Sequence, residues 1–348
     1  MSSAELLAPY THVAGLKSKN LRDAFIDAAN DVIGAGATHV NAVKIIVAKL
    51  HNASLLIDDI EDSATRRRGQ PAAHLIFGTP LTMNAANMVI FEALGDCLAL
   101  DQTLANSLEP KSQPRLTAVS VFQSEVALLH HGQGQDIFWR DTNQCPTADE
   151  YRTMVVNKTG GLFRLAVRLL FLDAATTTSD GAERALVAFT DDVSYFFQIL
   201  DDLLNLCSSD YHEKKTYCED LSEGKFSFPT IHSIRAAQAT GDTRLLRLLQ
   251  TRPQEVDVKQ FCLRLMSETG TFPHTRETLA CIGDRCLRQL AAVGEKAATT
   301  ADAVRQMGGS RDGDDCSPVG ENAVRLSARL RSFVDRLVAA VPAKDPAV

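Results

Sequence analysis

The amino-acid sequence predicts an all-α fold in a single domain. Apolar residues recur at spacings of three and four over long stretches, as at Val43, Ile46 and Val47, and this is the pattern of amphipathic helices. Alternating strand patterns are nearly absent. No linker rich in Pro, Gly and Ser divides the 348 residues. We therefore expect one helical domain over residues 1–348.

Helical periodicity continues along most of the chain. Between about residues 21 and 100 its strongest break is at 66–71, where Gly69 and Pro71 mark a charged turn between two helices. Further helices are predicted over roughly 116–139, 148–172, 182–207, 228–240, 243–250, 255–268, 274–296 and 322–341. A segment rich in Gly and charge predicts an exposed loop at about 308–321, before the last helix.

The composition excludes several classes of protein. With 45% hydrophobic and 23% charged residues, the chain has enough apolar material for a large core, which excludes disordered and fibrous proteins. The formal net charge of −7 argues against a nucleic-acid binder, because such proteins carry a basic face. Any positive charge that matters must therefore be local.

Cysteine usage and the absence of targeting signals predict a cytoplasmic protein. The eight cysteines form no CxxC pair and no zinc-type spacing, which is typical of reduced thiols. The N-terminus lacks the basic start and apolar stretch of a signal peptide. No run of about eighteen uncharged apolar residues occurs, so we expect no membrane span.

Four carboxylates end a strongly apolar helical run, Leu55-Leu56-Ile57. This first acidic cluster consists of Asp58, Asp59, Glu61 and Asp62. On a helix three of these acids share one face, where like charges repel. A single acidic pair is usually the solvated end of a helix. Here the acids directly follow residues of buried type, where unpaired charge is costly, so the pattern favours a site for a hard cation such as magnesium.

A second group of oxygen-bearing side chains emerges from another apolar helix. This second acidic cluster consists of Gln198, Asp201, Asp202 and Asn205. Their spacing of i, i+3, i+4 and i+7 places all four on one stripe. Oxygen ligands on two facing helices suit magnesium ions that bridge to phosphate oxygens. Asp191 and Asp192 lie earlier on the same helix without such neighbours, and we expect them to be solvated or capping residues.

Compact groups of basic residues provide countercharge for an anionic substrate. They are Lys17, Lys19 and Arg22, then Arg66, Arg67 and Arg68, then Lys158, and finally Lys214, Lys215 and Lys225. Arg can bind phosphate in a bidentate manner, and Lys acts as a point charge. Any one of them alone is typical of a solvated surface. Beside two acidic clusters they predict one or two diphosphate sites.

These motifs resemble those of the trans-prenyl diphosphate synthases. LLIDDIEDS followed by RRGQPAAH is similar to their first DDxxD motif, and QILDDLLNL is similar to the second in a variant that ends in Asn. HNASLLIDD, LLHHGQGQDIFWRD, the Lys158–Gly161 turn and YCEDLSEGKFSFPTIHSI extend the resemblance over about 19–235. The fungal geranylgeranyl diphosphate synthases, including those fused to terpene cyclases, are the most similar group. The resemblance implies an isoprenoid-synthase-type helical bundle with a central cavity between two Asp-rich helices, in a homodimer or higher homo-oligomer.

The resemblance also implies roles for individual residues. About three magnesium ions would be held by Asp58, Asp59 and Asp62 and, on the second helix, by Asp201, Asp202 and Asn205. The allylic diphosphate, whether dimethylallyl, geranyl or farnesyl, would be held by Arg67, Lys158, Thr159, Gln198, Lys215 and Lys225. Isopentenyl diphosphate would be held by Lys19, Arg22, His51 and Arg68. The metals and cations would stabilise the departing pyrophosphate, so that an allylic carbocation forms.

Chain length would depend on the helix that follows the first acidic cluster. Asn84, Met88 and Phe91 lie at i, i+4 and i+7, and Phe91 together with His130 is the predicted floor of the product tunnel. Met88 and Ile90 stand where fungal relatives commonly have tyrosines, which permits a deeper tunnel. We expect the twenty-carbon geranylgeranyl diphosphate, with a C25 or C30 product as the alternative.

Two other functions remain open from the sequence. A class I terpene cyclase shares the fold and the first motif, but its second motif differs from Asp201–Asn205 and it has no use for a second diphosphate site. A silent subunit of a prenyl synthase would be expected to have lost acidic ligands, and both clusters are intact here. The Gly132–Gly134 pair lacks the preceding strand that a dinucleotide-binding loop requires.

Overall fold

The computed structural model describes residues 3–17, 20–107, 116–173, 180–207, 217–307 and 319–346. Within these ranges the chain forms sixteen helices and one small antiparallel ribbon. The predicted all-α fold is therefore confirmed. Lys19, Lys214 and Lys215 lie outside the described residues, and so does most of the predicted loop at about 308–321.

The elements follow one another with short connections. The first nine helices are α1 (Ser3–Leu6), α2 (Ala8–Ala14), α3 (Leu21–Ile33), α4 (Ala37–Glu61), α5 (Ala73–Phe77), α6 (Thr79–Ser107), α7 (Ala118–Thr142), α8 (Ala148–Lys158) and α9 (Gly160–Phe171). The remaining seven are α10 (Asp180–Cys207), α11 (Glu219–Glu223), α12 (Phe228–Gln238), α13 (Arg244–Gln250), α14 (Val256–Glu268), α15 (Thr271–Met307) and α16 (Val319–Ala339).

The predicted break at 66–71 is a tight hairpin. Strand β1 (Arg66–Arg67) pairs with β2 (Gln70–Pro71), and the two residues between them, Arg68 and Gly69, have φ of +53° and +82°. Positive φ at both central positions is the type I′ turn, which fits the twist of paired strands. This turn directs the arginines back toward the end of α4.

Helix α9 is the central helix of the molecule. Ten of its 12 residues are buried, so it is covered on all sides, and it packs against α3, α4, α7, α8 and α10. The two helices that carry the acidic clusters, α4 and α10, both pack on it. A smaller apolar cluster lies between α2, α4, α5 and α6. Helix α9 thus positions the two acidic clusters relative to each other.

The helix predicted over 148–172 is in fact two helices that break at Thr159. The Val156 carbonyl oxygen accepts a hydrogen bond from the Arg164 guanidinium at 2.6 Å. A side chain that donates to a backbone carbonyl in the last turn of a helix competes with the backbone i to i−4 hydrogen bonds, and this is a common cause of a helix break. A Cβ at Gly160 would lie 2.9 Å from Arg164 Nη1, so glycine makes room for this contact. Helical periodicity continued through the break, although the motif of the Lys158–Gly161 turn lies at this position.

Helices α7 and α8 are in close contact at Gly132. A Cβ there would lie 2.5 Å from the Lys158 backbone nitrogen and 2.8 Å from the Met154 carbonyl oxygen. Backbone atoms cannot move aside, so only glycine fits. The first glycine of the GQG segment therefore serves helix packing, and the contact brings Lys158 beside α7.

The expectation that Asp191 and Asp192 are solvated or capping residues is wrong. Asp192 is only 3% exposed and accepts hydrogen bonds from Arg152 at 2.9 Å and from Arg285 at 2.7 Å. Asp191 accepts one from Arg164 at 2.9 Å. Both acids join α10 to neighbouring helices, because a buried carboxylate needs cationic partners.

Two described helices, Ala37–Glu61 and Thr79–Asn106, are long and apolar enough to cross a bilayer by length and composition alone. Core helices of water-soluble proteins pass the same criterion, and here both helices contribute buried residues to the apolar clusters. The sequence-based expectation of no membrane span stays a prediction.

Candidate active site

The first acidic cluster lies where α4 ends. Glu61 is the last residue of the helix and Asp62 is its C-cap. The C-terminus of a helix carries partial negative charge, so carboxylates there are disfavoured twice, by the helix dipole and by each other. Burial and the neighbouring Asp58 raise the pKa of Asp62 to about 6. The cluster therefore needs cations to remain ionised.

Arg67 provides part of this positive charge from the hairpin. Its Nε donates to Asp59 Oδ1 at 2.8 Å and its Nη2 donates to Asp58 Oδ2 at 3.3 Å. Asp59 is 1% exposed, and burial raises its pKa although Arg67 opposes the shift. Asp59 Oδ2 is buried and has no hydrogen-bond partner among the described residues. A buried carboxylate oxygen without a donor is a position that a metal ion would satisfy.

The donor set fits magnesium shared with a substrate. Among the described residues, no three His, Cys, Asp or Glu side chains converge to hold an ion by themselves. Magnesium in phosphate-transfer sites is usually bound by one or two carboxylates together with substrate phosphates and water, so a complete protein cage is not required. Asp58, Asp59 and Asp62 match that partial set.

Helix α7 adds a polar stripe that faces the first acidic cluster. Gln133 Nε2 donates to Glu61 Oε2 at 2.7 Å, Lys158 Nζ donates to Asp136 Oδ2 at 2.7 Å, and Arg140 donates to Asp62. Sequence reasoning gave no role to Gln133, Asp136 or Arg140. Their spacing of i, i+3 and i+7 within GQGQDIFWR was the available signal, because it places all three on one helix face.

Lys158 and Thr159 connect the two acidic clusters, and their contact with the allylic diphosphate stays a prediction. Lys158 Nζ lies 2.7 Å from Asp136 and 3.8 Å from Asp58. Burial would lower the pKa of Lys158, but these carboxylates outweigh it and raise the pKa above its ordinary value. Thr159 Oγ1 donates to Gln198 Oε1 at 2.7 Å, which links the turn to α10. The ammonium group therefore stays charged beside the first cluster.

The second acidic cluster is only partly available to a metal. Asp202 is 1% exposed and accepts hydrogen bonds from Tyr151 Oη, from the Phe228 backbone nitrogen at 2.8 Å and from Gln198 at 2.9 Å. Lys225 Nζ is 3.6 Å away.

The other predicted ligand, Asn205, is 2% exposed, and its Oδ1 accepts from the Asp220 backbone nitrogen at 3.2 Å. Both side chains are buried and bonded to protein donors, as Asp59 is, and their role as magnesium ligands stays a prediction. Asp201 is the partly exposed acid of this cluster.

The short helix α11 brings further acids between the two clusters. Burial and the nearby Asp62 and Asp220 raise the pKa of Glu223 well above its ordinary value. Lys225 follows directly and lies 3.8 Å from Asp220. The sequence motif EDLSEGK gave these acids no role, since their proximity to Asp62 depends on how α11 packs in the tertiary structure.

Arg22, His51 and Arg68 form a pocket of positive charge, the cation pocket. Arg22 Nη1 donates to His51 Nε2 at 2.9 Å, so this imidazole is neutral. Burial and the neighbouring arginines lower the pKa of His51 well below its ordinary value, and burial and Arg68 lower that of Arg22 to about 10. Arg22 Nε is buried without a described partner. No described carboxylate forms an ion pair with Arg22 or Arg68, so the pocket suits an anion.

The predicted tunnel floor at Phe91 and His130 is wrong for a single chain. Phe91 is 71% exposed and His130 is exposed as well, so these side chains lie on the outer surface of α6 and α7. Met88 and Ile90 are partly buried, and Ile90 packs against both apolar clusters. The helical period was right, but it could not tell which face of α6 points inward.

Comparison with known proteins agrees with this geometry. Residues 3–266 match the family described as polyprenyl synthetase. A protein from Dictyostelium discoideum named "Geranylgeranyl pyrophosphate synthase" is 40% identical over 84% of this chain and 90% of its own length. "Geranylgeranyl pyrophosphate synthase ltmG" from Epichloe festucae is 41% identical over 83% and 80%. A protein from Matsumurasca onukii named "Terpene synthase" is 41% identical over 83% and 89%.

The cation pocket gives a testable prediction about anion binding. Arg68→Ala is expected to weaken binding of isopentenyl diphosphate about 10–100-fold, the effect of losing one charge-assisted hydrogen bond. Lys158→Ala should leave this binding unchanged, because Lys158 lies beside the acids. Calorimetric titration without magnesium measures both variants, since the pocket contains no described carboxylate. Equal weakening in both variants would contradict the separation of the two sets of cations.

Proposed function

This chain belongs to the polyprenyl synthetase family, and from that premise we propose that it condenses an allylic diphosphate with isopentenyl diphosphate to form all-trans geranylgeranyl diphosphate. The observation that carries the proposal is the presence of two different anion sites. One is the cation pocket without acids, and the other combines the first acidic cluster with Lys158 and Lys225. The names of relatives at about 40% identity support the product.

Each set of residues has one task in this reaction. The pocket of Arg22, His51 and Arg68 holds the diphosphate of isopentenyl diphosphate and leaves its double bond to face the first acidic cluster. Lys158 and Lys225 contact the allylic diphosphate oxygens and stabilise the charge that develops on them as the allylic C–O bond breaks. The double bond attacks the allylic carbon, and the released pyrophosphate takes the proton that is lost.

Magnesium would supply the further positive charge that the leaving pyrophosphate requires. The resemblance to the family implies about three ions. Asp58, Asp59 and Asp62 would hold magnesium on α4, and Asp201 would hold it on α10. Arg67 pairs with Asp58 and Asp59 in this structure, so its proposed contact with the allylic diphosphate requires that it give up these acids.

A class I terpene cyclase is the second candidate, because one relative carries the name "Terpene synthase". A cyclase acts on a single diphosphate and would leave the cation pocket without a ligand. The arrangement of Arg22, His51 and Arg68 therefore favours the condensation. Fusion to a cyclase domain and a cytoplasmic location stay predictions; the seven described cysteines, all free thiols, support the second.

The deciding experiment supplies isopentenyl diphosphate with dimethylallyl, geranyl or farnesyl diphosphate and magnesium. Wild-type protein is expected to form geranylgeranyl diphosphate, identified by mass, and Asp58→Ala should lower turnover by several orders of magnitude because leaving-group stabilisation is lost. Cyclic hydrocarbons made without isopentenyl diphosphate would favour the cyclase. No product from any primer would reject both enzymes and favour a silent subunit.

Product length gives a separate prediction. We propose that Ile90, which packs against both apolar clusters, borders the product tail. Met88 is also partly buried, but it lies two residues away and therefore on a different side of α6. Ile90→Tyr adds a bulky ring there and is expected to shift the products toward shorter chains. Ile45→Tyr, the same change at an exposed position on α4, is the matched control. An unchanged product distribution in Ile90→Tyr would contradict this role, and C25 or C30 products from wild type would replace the assigned length.

We propose that the enzyme is a homodimer that joins through α6 and α7. These helices pack together, and their outer sides expose Phe91, Leu98, Leu128 and Phe138 at 71%, 51%, 40% and 54%. Large apolar side chains grouped on one surface are typical of a protein interface. A second copy would cover Phe91, and the residue predicted as the tunnel floor would then be buried.

The dimer is tested by sedimentation. Wild type is expected at the mass of two chains, and Phe138→Glu should shift it toward one chain, because an interface cannot bury an unpaired carboxylate without cost. Val256→Glu, at an equally exposed residue on α14, is the control. A monomeric wild type would contradict the proposal.

A further inference from the structure

Arg140 holds the last acid of the first acidic cluster from the end of α7. Its Nη1 donates to Asp62 Oδ1, and its Nη2 donates to the Glu61 carbonyl oxygen at 3.1 Å. The Arg140 side chain is 10% exposed and that of Asp62 is 17% exposed, so water competes little for the pair. A planar guanidinium that binds a carboxylate and the neighbouring carbonyl oxygen fixes the orientation of the carboxylate as well as its charge.

The Nε donor of Arg140 bonds to another acid on the opposite side of the guanidinium. Nε donates to Asp141 Oδ1 at 3.1 Å, and the same carboxylate accepts from Arg252 Nη2 at 3.0 Å. The guanidinium is thus held in one orientation by acids on both sides. The contact with Asp62 is the buried one of the two, so it is the one in which Arg140 orients the carboxylate.

Asp62 differs in this respect from the other acids of the cluster. Asp58 and Asp59 share Arg67, which belongs to the proposed diphosphate-binding set and has to give them up. Arg140 has no such second task. Among the described residues, the hydrogen-bond donors to the Asp62 carboxylate contact Oδ1, and none contacts Oδ2. One oxygen of Asp62 is therefore fixed and the other remains for a ligand.

We infer that Arg140 is a positioning residue for magnesium: it fixes Asp62 Oδ1 and thereby presents Oδ2 to the metal that the cluster shares with the substrate diphosphate. The inference rests on the proposed function, because it presupposes a metal at the first acidic cluster. Partners that orient a metal-binding carboxylate typically change metal affinity 10–100-fold when they are removed. If Arg140 served only the fold, its substitution would lower stability without changing the magnesium concentration that gives half of the stabilisation.

The experiment measures magnesium binding without turnover. Thermal unfolding of the full chain is followed at a fixed concentration of inorganic pyrophosphate while magnesium is titrated, and the magnesium concentration that gives half of the stabilisation is recorded. Arg140→Gln removes both the positive charge and the planar guanidinium, and it is expected to raise this magnesium concentration about tenfold. Arg140→Lys keeps the positive charge but loses the planar guanidinium, so it should raise the magnesium concentration by a smaller factor.

Arg244→Gln is the matched control, since Arg244 pairs with Asp242 and Glu268 and contacts neither Asp62 nor Asp141, and it should leave the midpoint unchanged. An unchanged midpoint in Arg140→Gln, or an equal shift in Arg244→Gln, would overturn the inference. If Arg140→Gln does not fold, Arg140→Lys decides: an unchanged midpoint there also overturns it. Product formation by wild type is measured in parallel. A wild type without prenyl product rejects the proposed function, whereas an active wild type with an unshifted Arg140→Gln midpoint rejects only the role of Arg140.

Discussion

The concentration of negative charge at the C-terminal end of α4 is the constraint on which the rest of the site depends. Three aspartates and a glutamate occupy the end of a helix where the backbone already carries partial negative charge. Cations from three elements meet this charge: Arg67 from the hairpin, Arg140 from α7 and Lys158 from the α8–α9 break. The fold brings these distant segments together at one helix terminus.

Charge is balanced differently in the two halves of the site. At the first acidic cluster, burial raises the pKa values of Asp59 and Asp62, so these carboxylates need nearby positive charge to stay ionised. In the cation pocket, Arg22 and His51 have lowered pKa values, so that region calls for an anion. A magnesium diphosphate and a free diphosphate are complementary to these two environments. Under the proposed function, this difference would let the two sites distinguish two substrates that carry the same diphosphate group.

The close packing around α9 fixes the positions of the charged side chains that make up these two environments. Gly132 lets α7 and α8 approach until Lys158 reaches Asp136, and Arg164 holds the Val156 carbonyl where the helix breaks. Gly132 lies in a motif that carried the family resemblance, but sequence analysis assigned neither residue a role. They show that the Lys158–Gly161 turn is positioned by close contacts with backbone atoms, as expected of an interior packed at crystal density.

The sequence by itself determined the fold class and the two helices that carry acids, because helical spacing and charge repulsion are local properties. The predicted roles of Asp58, Asp59 and Lys158 came from the resemblance of their motifs to a known family. The sequence did not determine which side chains of a stripe point inward. Only the tertiary structure assigned Asp202 to buried hydrogen bonds and Phe91 to the surface, and only it brought Arg140 to Asp62. Those outcomes depend on neighbouring helices far away in the chain, and a helical period fixes relative positions on one helix but not what packs against it.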